Sequence, residues 1–154
     1  MAARAAPARP ARSARTAALS ARRTRLTAAL AAGLTVAAGL TVRAVAGGPF
    51  GEHAGDALYT VLVYALIVLV RPRITPVRAA LGALAFSWAV ELAQLTPVPA
   101  ALSRTSPVAA LVLGSTFVAA DLVAYAAGAA LAAAAHTLVA RGRRDRPERE
   151  GVPS

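Results

Sequence analysis

Four long apolar runs, separated by arginines and prolines, constrain the fold of this chain more than any other feature of its sequence. About 20 apolar residues in a helix are enough to cross the hydrocarbon core of a bilayer. The composition agrees, because 57% of the residues are hydrophobic and only 16% are charged, which is unusual for a soluble domain. The sequence therefore predicts an all-α integral membrane bundle of four transmembrane helices, at about residues 26–46, 54–70, 77–95 and 121–140.

The two ends of the chain differ from this predicted membrane domain, residues 26–140. Residues 1–25 hold seven arginines and no acid, which predicts a disordered, cytoplasmic tail. Residues 141–154 form a second charged tail, also predicted to be cytoplasmic. An alternative for the first apolar run is a cleaved signal peptide, since Ala44-Val45-Ala46 resembles a signal-peptidase site after a basic region. If the run is retained, Gly33 and Gly39 are candidates for close helix packing.

The segment between the third and fourth runs is too short for another span. Pro97 and Pro99 are expected to end the third helix. Ser106 and Pro107 then have the pattern of a helix start, and Gly114 the pattern of a helix end. We predict a short interfacial or re-entrant helix before the last span. The alternative is one long helix running on from Pro107 to residue 140.

The distribution of arginine predicts the orientation in the membrane. Seven of the seventeen arginines precede the first run, three lie between the second and third, and five follow the last. In a four-span arrangement these fifteen share one side, and only Arg43 and Arg104 lie on the other. Basic residues favour the cytoplasmic side, so we expect both termini in the cytoplasm of a plasma-membrane protein.

This orientation places most polar side chains of the apolar region at the outer ends of the spans. A carboxylate near the bilayer is costly unless it has a partner or a function. We expect Asp56, Glu91 and Asp121 to converge there, with Arg104 pairing with Glu91. The candidate binding residues are Asp56, Tyr59, Glu91, Gln94, Arg104, Asp121 and Tyr125. A cation, a lipid head group or a lipid-linked cell-wall precursor would suit this mixture of charges.

Two other interpretations of these residues remain open. Asp56 and Asp121 could simply favour helix N-termini, and a Glu91–Arg104 pair could only hold the bundle together. Alternatively, neighbouring acids could perform acid–base catalysis, although an enzyme is the less favoured interpretation. His53 reads as a lone histidine in a loop, and His136 falls on the other side of the membrane.

The sequence also bears on cofactors and partners. The chain has no cysteine, and its two histidines cannot share a site, so we predict no metal and no cofactor. The arginine-rich tails lack the aromatic residues that stack on single-stranded nucleic acid, so we predict no nucleic-acid partner. The expected partner of the arginines is the lipid bilayer.

The order of several short motifs resembles a family of small bacterial membrane proteins, domain of unknown function 2809. The first half of the resemblance is Gly55-Asp56-Ala57-Leu58-Tyr59, then Tyr64 and Arg71. The second half consists of Glu91-Leu92-Ala93-Gln94, Arg104, residues 113–117 and residues 121–128. The resemblance covers about residues 30–138 and implies a polytopic membrane protein.

The same skeleton is similar to the wider VanZ-like group. The shared elements are an acid opening span two, a Glu-x-x-Gln ending span three, an arginine, and an acid opening span four. That group is linked with glycopeptide resistance. This chain has Tyr59 and Thr60 where the group usually has a histidine, and Tyr125 where asparagine is common. We therefore do not extend the resistance function to it.

Overall fold

The computed structural model describes residues 9–46, 48–114 and 116–144, and within them the chain is all-helical. The helices are α1 (Arg9–Val45), α2 (Gly48–Val70), α3 (Pro76–Ala93), α4 (Pro97–Thr105), α5 (Pro107–Leu113) and α6 (Asp121–Arg144). Four of them are long and apolar enough to cross a membrane, namely α1, α2, α3 and α6. The predicted all-α fold with four candidate spans is confirmed.

Large apolar side chains cover the outside of this bundle. Leu34 is 71% exposed, Val123 is 72% exposed and Leu131 is 67% exposed. Within the most hydropathic 18-residue window of each of the four long helices, no more than 22% of the residues are buried inside the protein. Water would penalise so much exposed apolar surface, whereas lipid tails solvate it. The exposed surface therefore supports a multi-pass membrane protein.

Helix α2 lies at the centre of the bundle and packs against α1, α3 and α6, and α6 also packs against α3. Small residues allow these helices to approach closely, as is usual between membrane helices. Ala79 and Ala83 of α3 are fully buried, and Tyr64 and Val68 of α2 pack in the same core cluster. Thr60 and Ser87, both buried, share a hydrogen bond of 2.9 Å between α2 and α3.

A close approach between two helices occurs at a glycine in α6. A Cβ atom added at Gly128 would collide with the backbone carbonyl of Ala57 in α2. Gly33 and Gly39, which were the predicted packing glycines, have open space around the position of a Cβ atom. That prediction is therefore wrong, because no atom of a neighbouring helix comes within 4 Å of the Cβ position of either glycine.

Two helices begin earlier than predicted. Helix α1 starts at Arg9, so the prediction of a disordered tail is wrong for residues 9–25. Alanine and arginine both have high helix propensity, and they extend the apolar helix back through the charged segment. Helix α2 starts at Gly48, whose φ of 73° suits glycine, rather than near residue 54. The predictions for residues 1–8 and 145–154 lie outside the described residues.

The connection between α3 and α6 contains two short helices, α4 and α5. Helix α5 has the predicted ends: the Ser106 hydroxyl accepts a hydrogen bond from the backbone N–H of Ala109, and Gly114 caps the C-terminus with a φ of 63°. A single helix from Pro107 onward is therefore ruled out. Helix α4 was missed, because Pro97 ends one helix and also suits the first turn of the next.

Candidate ligand site at one end of the bundle

The alternating direction of the long helices brings chemically distinct side chains to opposite ends of the bundle. Helix α2 starts, α3 ends and α6 starts at the same end. The polar cluster at this end consists of His53 and Asp56 from α2, Glu91 from α3, and Asp121 and Tyr125 from α6. The predicted convergence of Asp56, Glu91 and Asp121 is confirmed by the contacts described below.

The outer part of the polar cluster is formed by a histidine and two aspartates. The Nδ1 atom of His53 lies 3.0 Å from Oδ1 of Asp121. The His53 side chain is 41% exposed and that of Asp121 is 13% exposed, so His53 forms the mouth. One possible ligand atom from each of His53, Asp56 and Asp121 lies within 4.8 Å of the other two. These atoms form a small donor set that is open to the outside.

The inner part of the polar cluster is the carboxylate of Glu91, which is only 1% exposed. Its Oε1 accepts a hydrogen bond of 2.7 Å from the backbone N–H of Val118, and its Oε2 accepts one of 2.9 Å from the hydroxyl of Tyr125. Both oxygens of the buried acid therefore have donors, as a charge in an apolar bundle requires.

The hydroxyl of Tyr125 connects the inner part to the outer part. It lies 2.9 Å from Glu91 and 3.5 Å from Oδ1 of Asp56. A phenol carries a single proton, and the shorter contact identifies Glu91 as the acceptor of its hydrogen bond. Asp56 therefore keeps acceptor capacity that Tyr125 does not fill.

Three predicted members of the site lie elsewhere or contact other groups. Arg104 is exposed, and no ion pair joins it to Glu91 within the described part of the chain. The expected Glu91–Arg104 pair is therefore wrong, because Val118 and Tyr125 already supply donors to Glu91. Gln94 donates a 2.7 Å hydrogen bond from Nε2 to the carbonyl of Leu113 and so holds the end of α5.

Tyr59 contributes its ring rather than its hydroxyl to the polar cluster. Its ring centroid lies 6.3 Å from that of Tyr125, at an interplanar angle of 58°. Its buried hydroxyl has no hydrogen-bond partner among the residues that the structure describes. Of the candidate binding residues Gln94, Tyr59 and Tyr125, only Tyr125 donates to a carboxylate of the polar cluster.

The helix-capping interpretation fails for one aspartate and remains for the other. Asp56 is the ninth residue of α2, well inside the helix, so the free N–H groups of the first turn do not explain it. Asp121 is the first residue of α6, where the helix dipole favours an acid. Its contact with His53 is additional to that effect.

His53 is part of the polar cluster, although it is not among the binding residues predicted from the sequence. The sequence predicts a loop at this position, but His53 lies in the second turn of α2, three residues before Asp56. The i, i+3 spacing puts both side chains on one face of the helix, and this spacing was visible in the sequence. The separation of His53 from His136 excludes a site with two histidines, but the structure combines one histidine with two carboxylates.

These contacts determine the chemistry that the polar cluster can support. It contains three carboxylates, and the expected arginine does not neutralise them within the described residues. Such a set favours a positively charged group. An imidazole nitrogen and carboxylate oxygens are also the usual ligands of zinc and related divalent cations.

Comparison with known protein families identifies one family to which the chain is similar. The sequence model of one family, described as a protein of unknown function (DUF2809), matches residues 48–129, which is more than half of the chain. The chain belongs to the DUF2809 family. No curated protein and no solved structure matches it.

The DUF2809 match is narrower than the resemblance to residues 30–138 that the motifs suggested. It begins at the first residue of α2 and ends in the first half of α6. It therefore includes every member of the polar cluster and leaves out α1 and the second half of α6.

Proposed function

We propose that this multi-pass protein lies in the plasma membrane and uses the polar cluster to bind a cationic ligand from the extracytoplasmic side. The observation that carries the proposal is the convergence of Asp56, Glu91 and Asp121 without the expected arginine. The ligand is a divalent cation or the positively charged group of a lipid-linked molecule. The buried Glu91 supplies negative charge at the base, and His53 and Asp121 form the entrance.

The donor set supports a divalent cation as the first ligand to test. Metal–ligand bonds of about 2.0–2.2 Å require donor atoms roughly 3–4 Å apart. The donors of His53, Asp56 and Asp121, within 4.8 Å of one another, need only small side-chain rotations to reach that spacing. Binding would replace the present His53–Asp121 hydrogen bond.

Titration of the purified full chain in detergent with Zn²⁺, Mn²⁺, Mg²⁺ and Ca²⁺, followed by calorimetry, tests this proposal. We expect Asp56→Asn to weaken binding of the preferred cation by about 10-fold or more, because one charged ligand is lost. Glu52→Gln is the matched control, since Glu52 is an exposed acid near the same end but is not one of the three donors. Equal binding by wild type and Asp56→Asn would refute the cation site.

The competing interpretation is a purely structural cluster. In that case Asp56→Asn and His53→Gln should change the thermal stability of the bundle without changing the affinity for any added cation. A lipid-linked amine is tested separately by adding vesicles that contain phosphatidylethanolamine to the protein. Specific retention of that lipid by wild type but not by Asp56→Asn would identify it as the ligand.

The proposed orientation has its own test. In the sequence, fifteen of the seventeen arginines precede the first span, connect the second and third spans or follow the last span, which supports a cytoplasmic location for both termini. Reporter fusions at Gly47, Thr75, Ala101 and Ser154 should report the outside, the inside, the outside and the inside. An extracytoplasmic signal from the Ser154 fusion would overturn the orientation without affecting the geometry of the cluster.

A further inference from the structure

The opposite end of the bundle contains an open cleft with a volume of about 560 Å³, lined by four arginines. We call it the arginine cleft. Arg25 comes from α1, Arg71 and Arg73 from the connection between α2 and α3, and Arg78 from the first turn of α3. The remaining lining residues are Ala21, Pro72 and Ile74.

Within the part of the chain that the structure describes, the acidic side chains lie far from the arginine cleft. The four acids in the described part of the chain are Glu52, Asp56, Glu91 and Asp121. They belong to the other end, roughly 22 Å from Arg71 along α2. No ion pair involves the four cleft arginines within the described residues. Orientation in the membrane accounts for arginine at this end, but it does not require arginines from two helices and a loop to line one cleft.

The walls of the arginine cleft are held by backbone hydrogen bonds. The N–H of Arg71 donates to the carbonyl of Ile67 at 2.8 Å, and the N–H of Ile74 donates to the carbonyl of Arg71 at 3.0 Å. Thr75 then caps α3, with its hydroxyl accepting from the N–H of Arg78. The N-terminus of this 18-residue helix adds partial positive charge beside the cleft.

The position of the arginine cleft along the apolar spans indicates which region of the membrane it faces. Arg25 immediately precedes the apolar part of α1, which begins at Leu26, and Arg71 immediately follows the last residue of α2. The cleft therefore lies at the boundary between the hydrocarbon core and the aqueous phase, where lipid phosphates are found. Arginine guanidinium groups bind phosphate oxygens through paired hydrogen bonds.

We propose that the arginine cleft is a phosphate-binding site at the membrane surface. The phosphate belongs to the head group of an anionic lipid or to a small soluble phosphate, since the chemistry of recognition is the same. This site is separate from the polar cluster and does not depend on the proposed cation binding.

The test uses the full chain reconstituted in nanodiscs that contain equal amounts of phosphatidylglycerol and phosphatidylcholine. Lipid retained after extraction into detergent is quantified by native mass spectrometry, with and without inorganic phosphate. We expect wild type to retain phosphatidylglycerol in preference, and Arg73→Gln/Arg78→Gln to retain it about 10-fold less. The matched control is Arg22→Gln/Arg23→Gln, which removes the same charge from exposed arginines of α1 that do not line the cleft.

Each outcome bears directly on the proposal. If the cleft variant loses phosphatidylglycerol and the control variant retains it, the proposal is supported. Displacement of the lipid by inorganic phosphate at millimolar concentration identifies a soluble phosphate as an equal ligand, and no displacement identifies the lipid. Equal loss of phosphatidylglycerol in both double variants overturns the proposal in favour of general surface charge, and no preference in wild type, with or without inorganic phosphate, overturns it outright. Arg73→Lys/Arg78→Lys keeps the charge and should give intermediate retention, and thermal unfolding of each variant confirms that it is folded.

Discussion

The buried Glu91 carboxylate is the most informative position for a test of stability. It is 1% exposed and accepts one hydrogen bond from the backbone of Val118 and one from the hydroxyl of Tyr125. Glu91→Ala removes both hydrogen bonds, so the N–H of Val118 loses its acceptor and the hydroxyl of Tyr125 keeps only the 3.5 Å contact with Asp56. A donor that loses its acceptor costs about 1–3 kcal/mol, so we expect an overall loss of about 2–4 kcal/mol.

Glu91→Gln separates the charge from the hydrogen bonds. The amide oxygen can still accept from the N–H of Val118, and the hydroxyl of Tyr125 can rotate to accept from the amide. Only the charge assistance is lost, so we expect a cost of about 1 kcal/mol. Glu52→Gln, at an exposed acid near the same end, should change the stability by less than about 0.5 kcal/mol.

Thermal unfolding of the three purified variants in one detergent measures these differences. For a chain of this length we expect Glu91→Ala to lower Tm by about 10 °C and Glu91→Gln by a few degrees. If Glu91→Ala unfolds at the same temperature as Glu52→Gln, the buried carboxylate does not stabilise the bundle and this reasoning is refuted.

Three further predictions use the same measurement. Gly128→Ala should destabilise the bundle by about 1–3 kcal/mol because its Cβ would collide with α2, whereas Gly33→Ala, in open space, should be neutral or slightly stabilising; equal effects would contradict the close approach. Thr60→Val should cost about 1–2 kcal/mol by leaving the buried Ser87 hydroxyl without its partner, and adding Ser87→Ala should cost less than the sum of the single changes. Gly114→Ala should destabilise the end of α5 by about 1–3 kcal/mol, since its φ is 63° and a Cβ would lie 2.7 Å from Nε2 of Gln94; an unchanged Tm would argue against this geometry.

The two ends of the bundle explain how one short chain can present two opposite kinds of surface. Carboxylates and a histidine meet where α2 and α6 start, and arginines meet where α2 ends and α3 starts. Because each span reverses the direction of the chain, residues that are far apart in sequence become neighbours at one end. The family match includes the polar cluster and three of the four cleft arginines, and Arg25 lies outside it.

Local signals in the sequence determined the helices. Apolar runs of span length predicted the four long helices, and Ser106, Pro107 and Gly114 predicted the ends of α5. These features depend on hydropathy and on capping chemistry, which act between residues close together in the chain. The apolar runs also predicted which acids share an end of the bundle, because the number and direction of the spans follow from these runs.

Only the tertiary structure decided which groups touch. The sequence favoured Arg104 as the partner of Glu91, because opposite charges attract, but the hydroxyl of Tyr125 and the backbone of Val118 are nearer. Likewise, Gly128 rather than Gly33 supports close packing, and His53, predicted to be a lone loop histidine, lies beside two aspartates. Such contacts depend on the rotation of each helix about its axis and on the path of the connection before α6. Both are set by packing across the whole bundle, and a local pattern of residues does not specify them.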